Sequence, residues 1–96
     1  MRGIREEEQV RLAVDEALEK WNRAFDAWEA ATWTLMREPE FGKALNEAGN
    51  VRAAMFDGAR SIDMPSIEII YRFDKRYIYV EYVRFFESPY RQAGHG

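Results

Sequence analysis

Residues 66–87 constrain the fold more than any other part of this 96-residue chain. They read SIEIIYRFDKRYIYVEYVRFFE, two runs of β-branched and aromatic residues on either side of Asp74-Lys75-Arg76. Such residues suit the pleated, half-buried surface of a sheet, so the stretch predicts a β-hairpin. Apolar residues alternate along the first run, which indicates that one face is buried. Because an isolated hairpin is barely stable in water, the long helical first half of the chain is expected to cover that face.

The same alternation predicts the register of the hairpin. A loop over residues 74–77 keeps one face apolar through both strands, whereas a slip of one residue would set Ile69 against Glu81, which burial opposes. The predicted cross-strand pairs are Phe73 with Ile78, Tyr71 with Val80, Ile69 with Tyr82, and Ile67 with Arg84.

Residues 6–36 contain neither Gly nor Pro and carry apolar residues at helical spacing. A continuous helix of this length would span about 45 Å at 1.5 Å per residue. A globule of this size is nearer about 32 Å across. The helix is therefore expected to break, to overhang, or to pack on another chain. The helical residues expected to pack on the hairpin are Leu18, Trp21, Phe25 and Trp28.

The middle of the chain supplies one more predicted strand. Pro39 ends the helical region, because the residue before a proline is pushed out of the α conformation. Residues 40–48 are expected to form a short helical turn that Gly49 ends. The predicted fold is α+β, with an N-terminal helix or helical hairpin packed on a small three-stranded antiparallel sheet. The expected strands are Val51–Phe56, 67–73 and Tyr77–Phe86, within a single domain over residues 1–91 and a disordered tail at 92–96.

Composition excludes several classes of function. The net charge is −3, and the first half is the more acidic, which argues against a dedicated nucleic-acid coat but allows a local basic patch in the second half. There is no Cys for nucleophilic catalysis, and the one histidine, His95, stands next to the C-terminus. No metal or cofactor is expected, since neither clustered ligands nor a nucleotide-binding motif is present.

No membrane span or signal-peptide pattern is found, so a cytoplasmic location is expected.

Arginine and tyrosine on or beside the predicted sheet are the remaining candidates for chemistry. Guanidinium groups bind phosphate and stack on bases, and a tyrosine can stack or move a proton. Such a set can bind RNA and assist attack of a 2′-hydroxyl on the phosphodiester. The alternative is that these are ordinary outward-facing residues of half-exposed strands. The group consists of Arg52, Arg60, Arg72, Lys75, Arg76, Arg84, Tyr90 and Arg91.

Two motifs resemble the RelE/ParE superfamily of type II toxin–antitoxin toxins. Residues 35–45 are similar to the family's L-x-x-x-P-x-x-G-x-x-L helix end, and residues 67–73 are similar to its Y-R-V-I-Y-x-V strand. The resemblance covers about residues 24–91 and implies a helical hairpin packed on a small antiparallel sheet. Glu68 stands where the family usually has arginine, with Arg72 further along. The family also has a strand before the helices, but this chain begins with helix-forming residues, so no such strand is expected.

The resemblance implies a toxin that a cognate antitoxin neutralises. Three classes stay open: an mRNA endoribonuclease acting on the ribosome, a ParE-like inhibitor of gyrase, and a non-enzymatic interaction module. In RelE-like members a tyrosine soon after the last strand is often functional, and Tyr90 occupies a similar place. Arg84 is expected to lie beside it as the second catalytic residue. The expected nucleic-acid contacts are Arg60, Arg72 and Arg91, and a homodimer through the long helix is a further expectation.

Overall fold

A computed structural model describes residues 1–90, and the predicted tail at 92–96 lies outside them, as does Arg91. The predicted α+β class is confirmed, and the long helical region is a hairpin of two helices. The elements in chain order are β1 Gly3–Glu6, α1 Glu8–Lys20, α2 Ala24–Arg37, β2 Lys43–Ala44, β3 Val51–Phe56, a 3-10 helix Arg60–Ile62, β4 Ser66–Phe73 and β5 Tyr77–Phe86.

Within residues 1–90 the sheet has five strands, in the order β1-β5-β4-β3-β2, rather than the three predicted. The three expected strands pair antiparallel as β3, β4 and β5. β1 runs parallel to β5 at one edge, and β2 pairs antiparallel with β3 at the other. The prediction that no strand precedes the first helix was wrong. Edge strands of four and two residues are too short to show a hydrophobic period.

The hairpin register agrees with the prediction next to the loop and differs beyond it. The confirmed pairs are Phe73 with Ile78 and Tyr71 with Val80. A β-bulge then places one extra residue, Glu81, in β5. Beyond it Ile69 pairs with Val83 and Glu68 with Arg84, so the predicted partners of Ile69 and Arg84 were wrong.

The bulge has a packing reason. In β5 the apolar positions change phase after Val80, because Val83 and not Tyr82 continues the buried series. The unpaired Glu81 lets β5 keep the apolar residues before it and those after it on the core side of the sheet. As a result Val83 is only 7% exposed, whereas Tyr82 is 44% exposed.

The core lies between the two helices and one face of the sheet, with α1 packed on β5 and α2 on β4. Of the four helical residues predicted to fill it, Trp28 is buried, Trp21 is half-buried, and Leu18 and Phe25 are exposed. The prediction assumed one continuous helix with a single apolar stripe. The break between α1 and α2 changes which residues of each helix point toward the sheet. The buried helical residues are instead Val10, Val14, Ala17, Ala24, Ala27, Trp28, Ala31, Thr32 and Leu35.

The two helices separate at Trp21, which is in an extended conformation. Asp63, from the β3–β4 connection, holds the turn. Its carboxylate accepts a hydrogen bond from the Asn22 backbone at 2.8 Å, and its carbonyl oxygen accepts one from the Arg23 backbone at 3.0 Å. Asp63 is itself left-handed, with φ 54°, a conformation that aspartate tolerates better than most residues. A contact distant in sequence thus ends a helix that has no local stop signal.

The L-x-x-x-P-x-x-G segment has a structural role in this chain. The Tyr71 hydroxyl donates to the Pro39 carbonyl at 2.7 Å and accepts from the Gly42 backbone at 3.0 Å. A side chain at Gly42 would meet the Ala53 carbonyl oxygen at 2.7 Å, so only glycine fits. Residues 40–48 therefore form a loop and β2, not the predicted helical turn.

Neither helix within residues 1–90 combines the length and hydropathy that crossing a membrane requires. The homodimer expectation rested on one long helix, and the helical hairpin removes that premise. Dimerisation remains an untested prediction.

Candidate functional site

The candidate site is the outer face of the sheet, defined as the face turned away from the helices. It is formed by the strand residues that alternate with the core. Three arginines on it lie over aromatic rings, at 4.5 Å for Arg5 on Tyr77, 4.0 Å for Arg72 on Tyr79 and 4.3 Å for Arg84 on Phe86.

One end of the sheet, where β4 begins and β5 ends, is here called the terminal end. Arg84 lies there and donates its Nε–H to the Glu68 carboxylate at 3.1 Å. Glu68, at the position where the family that the sequence resembles usually has arginine, is therefore the ion-pair partner of Arg84. The pair is about half exposed, so Arg84 remains reachable but its charge is compensated.

Tyr90 is also at the terminal end, and a buried network places its backbone. The Ser88 hydroxyl donates to the Gly58 carbonyl at 2.9 Å and accepts from the Tyr90 backbone at 3.0 Å. The Tyr90 carbonyl in turn accepts from the Arg60 backbone at 2.9 Å. The structure thus brings Tyr90 and Arg60 together through their main chains.

The predicted site residues do not form one compact group. Arg84 and Arg72 share the outer face, but the residue paired with Arg84 lies four positions from Arg72 along β4, or about 13 Å at 3.3 Å per residue. Arg52, which belonged to the same arginine group, is largely covered by the loop after α2. It donates to the carbonyls of Glu40, Gly42 and Gly49 at 2.7–3.0 Å, so its role is structural.

Sequence reasoning identified only Arg72 of a second group, at the opposite end of the outer face beside the β4–β5 loop. This hairpin end is defined by Arg5, Arg72, Asp74, Tyr77 and Tyr79. Arg5 donates to the Tyr77 hydroxyl at 3.1 Å, and Tyr79 donates to the Asp74 carboxylate at 3.0 Å. The i, i+2 spacing of the two tyrosines was a signal for it, but Arg5 arrives only because β1 pairs with β5.

The hydrogen bonds of the hairpin end shift the acidity of its groups. The backbone N–H groups of Tyr77 and Arg76 hold the pKa of Asp74 below its usual value, with a smaller contribution from Tyr79. The carboxylate of Asp74 raises the pKa of Tyr79, because it accepts the phenolic hydrogen. The hydrogen bond to Tyr77 raises the pKa of Arg5. At neutral pH Arg5 and Asp74 are therefore charged and Tyr79 is neutral.

Between the two ends the outer face is largely apolar. Ile70 pairs with Tyr82 on one side and with Ala53 on the other. Met55 on β3 is 50% exposed nearby, opposite Glu68. An exposed apolar centre with charged ends is typical of surfaces that other macromolecules contact.

No cluster of three or more potential metal ligands is found within residues 1–90. His95 lies outside that range. Comparisons with protein-family models, with curated proteins and with solved structures each gave no match.

Proposed function

We propose that this chain is the toxin of a type II toxin–antitoxin pair, similar to the RelE/ParE superfamily, and that it cleaves mRNA on the ribosome. One observation carries the proposal: the outer face is uncovered by the helices and presents arginines against aromatic rings. The order of elements agrees, since β1 stands before the helical hairpin, where the family has a strand.

In the proposed reaction the 2′-hydroxyl of a nucleotide attacks the adjacent phosphorus and loses its proton, and the P–O bond to the next 5′-oxygen breaks. The products are a 2′,3′-cyclic phosphate and a 5′-hydroxyl, into which a proton is delivered. Arg84 stabilises the charge that develops on the phosphate, and Tyr90 transfers a proton. The bond to Glu68 uses one of five guanidinium N–H donors, so further donors are available to phosphate.

Arg60 and Arg72 are proposed as nucleic-acid contacts, at the terminal end and at the hairpin end respectively. Arg91, which follows Tyr90 directly, is proposed as a third on the grounds of its position in the sequence. The cognate antitoxin is proposed to neutralise the toxin by covering the same face, folding as it binds.

A second candidate is a ParE-like toxin that binds gyrase. The apolar centre at Ile70 and Tyr82 favours it, because apolar and aromatic groups at the middle of a patch suit a protein partner. The acidic net charge also suits a protein partner better than RNA. A non-enzymatic module without toxicity is the third possibility.

Induced expression in a bacterial host separates these classes. Growth arrest with cleaved mRNA and reduced translation supports the endoribonuclease. Arrest with DNA damage and stalled gyrase supports the ParE-like toxin, and unimpaired growth would leave the interaction module.

The predicted catalytic pair is tested by Arg84→Ala and Tyr90→Phe in the same assay. Each change is expected to reduce mRNA cleavage by about 10²-fold, the lower range for losing a general acid–base or charge-stabilising group. Arg11→Ala, an exposed change on α1, is the control and should cleave as the parent does. If both variants melt normally and remain as toxic as the parent, Arg84 and Tyr90 are not catalytic.

A further inference from the structure

The two arginines of the hairpin end differ in their partners, since Arg72 is paired with the Glu81 carboxylate. The β1 strand brings Arg5 next to Tyr79, and the β4–β5 loop carries Lys75 and Arg76 beside Asp74, whereas Arg2, just before β1, lies over the core-side ring of Phe73. Arg2 donates its Nε–H to the Asp74 carbonyl and not to a carboxylate. Arg5 makes no ion pair within residues 1–90, and its hydrogen-bond acceptor is the neutral hydroxyl of Tyr77. Of the three outer-face arginines that lie over aromatic rings, Arg5 is therefore the one that has no carboxylate partner in the described part of the chain.

Arg72 is held in one orientation at this end. Its guanidinium carbon lies 4.0 Å from the centre of the Tyr79 ring, and its Nε–H donates to Glu81 at 3.1 Å. Tyr79 is fixed in turn by its bond to Asp74. The Arg72 side chain is nevertheless 47% exposed. An arginine fixed against a ring below it offers a flat cationic platform, which is a surface on which bases stack.

Beside this platform is an open hollow of about 110 Å³, lined by Arg5, Glu6, Glu7, Arg72, Tyr79, Val80 and Glu81. Pockets that enclose a drug-sized ligand measure about 300–1,000 Å³, so this hollow suits one unit of a polymer. Both arginines and glutamates line the hollow, so it has a positive and a negative side. Carboxylates would repel a phosphate but accept hydrogen bonds from base amino groups, which directs the phosphate toward the arginine side.

We propose that the hairpin end binds one nucleotide of single-stranded RNA, with Arg5 contacting the phosphate and Arg72 stacking on the base. This site rests on the proposed function and adds to it a place that holds RNA away from the predicted site of cleavage. Single-stranded RNA is the ligand that fits, because its bases are free to stack, whereas those of a duplex are already stacked on one another.

The test is fluorescence anisotropy of the full chain with a labelled single-stranded RNA of about 12 nucleotides, within the usual range of site sizes. Arg5→Gln removes the charge and keeps a hydrogen-bond donor. Arg72→Lys keeps the positive charge and removes the planar guanidinium group that stacks on a base. Each is expected to weaken binding by about five- to tenfold. Arg5→Gln should also lower the salt slope by about 0.7, the value for one phosphate of a single strand. Arg11→Gln, which makes the same change of charge on α1, should bind like the parent.

Binding by both variants as tight as that of the parent would overturn the site, and so would an equal loss in Arg11→Gln. A parent that binds single-stranded RNA no better than a duplex of the same sequence would also overturn it. None of these results decides the proposed function, because mRNA cleavage during growth arrest is measured separately. Conversely, RNA binding that depends on Arg5 and Arg72 in a chain that cleaves nothing would support the site and contradict the nuclease.

Discussion

The two ends of the outer face carry similar residues in different settings. At the terminal end Arg84 lies over Phe86 and is paired with Glu68. At the hairpin end Arg5 lies over Tyr77 and donates to its hydroxyl, with no carboxylate partner in the described part of the chain. The difference shows that counting the arginines on a surface does not tell where its electrostatic potential is positive. What matters is whether the neighbouring strand pairs each arginine with a carboxylate, as for Arg84 and Arg72, or with a tyrosine hydroxyl, as for Arg5.

The two ends also differ in how their backbones are held. The terminal end rests on an uncharged network through Gly58, Ser66 and Ser88, all of them buried. The hairpin end rests on exposed contacts of Asp74 with its own loop. Buried hydrogen bonds that cannot be replaced by water are costly to break, so we expect mutations to be tolerated better at the hairpin end.

The largest effect on stability is expected when one glycine at each end is replaced by alanine. A Cβ at Gly58 would lie 2.3 Å from the carbonyl oxygens of Met64 and Pro65, which are backbone atoms. A Cβ at Gly3 would lie 3.1 Å from ring atoms of Tyr77, which can shift. Gly58→Ala should lower the free energy of unfolding by about 2–4 kcal/mol, and Gly3→Ala by less than about 1 kcal/mol. Urea denaturation measures both, and equal losses would contradict the proposed difference in rigidity.

An intermediate effect is expected for the charge of Asp74. Its pKa is lowered in the folded chain, so the charged carboxylate stabilises the fold above the unfolded pKa of about 3.9. That stability is lost as the pH falls through the lower, folded pKa. Asp74→Asn keeps an oxygen acceptor for the loop and removes the charge.

Thermal melts of the parent and Asp74→Asn should therefore differ at pH near 7 and converge in acid. Asp57→Asn, another exposed aspartate for which no comparable backbone contacts are described, serves as the control for loss of charge. A difference between parent and Asp74→Asn that persists unchanged well below the usual aspartate pKa would show that the carboxylate charge is not its cause.

The smallest effect is expected for the two exposed ion pairs, one at each end. Double-mutant cycles on Arg84–Glu68 and Arg72–Glu81 should each give a coupling of about 0.2–1 kcal/mol, decreasing with added salt. A stronger coupling for Arg72–Glu81 would separate the two ends further, because the Arg72 guanidinium lies closer to its aromatic ring than the Arg84 guanidinium does. A coupling well above this range at the terminal end would mean that Glu68 holds Arg84 too firmly for phosphate to compete.

Much of the central sheet could be predicted because its information is local. β3, β4, β5 and the pairs next to the hairpin loop follow from alternation and β-branched residues. The bulge at Glu81 could have been found from the change of phase between Val80 and Val83. At the candidate site the sequence identified Arg84 and Arg72 as sheet residues, but the partner of Arg84 changed with the register.

The sequence by itself determined the α+β class, the hairpin and a helical first half, because side-chain period and backbone preference act over a few residues. Tertiary structure alone decided where the long helix breaks, since the Asn22 and Arg23 backbones bond to Asp63, some 40 residues away. It also decided that residues 3–6 form a strand, because a parallel edge strand gains its hydrogen bonds only from a partner already in place. That pairing brings Arg5 to Tyr77 across 72 residues of chain, which no local pattern encodes.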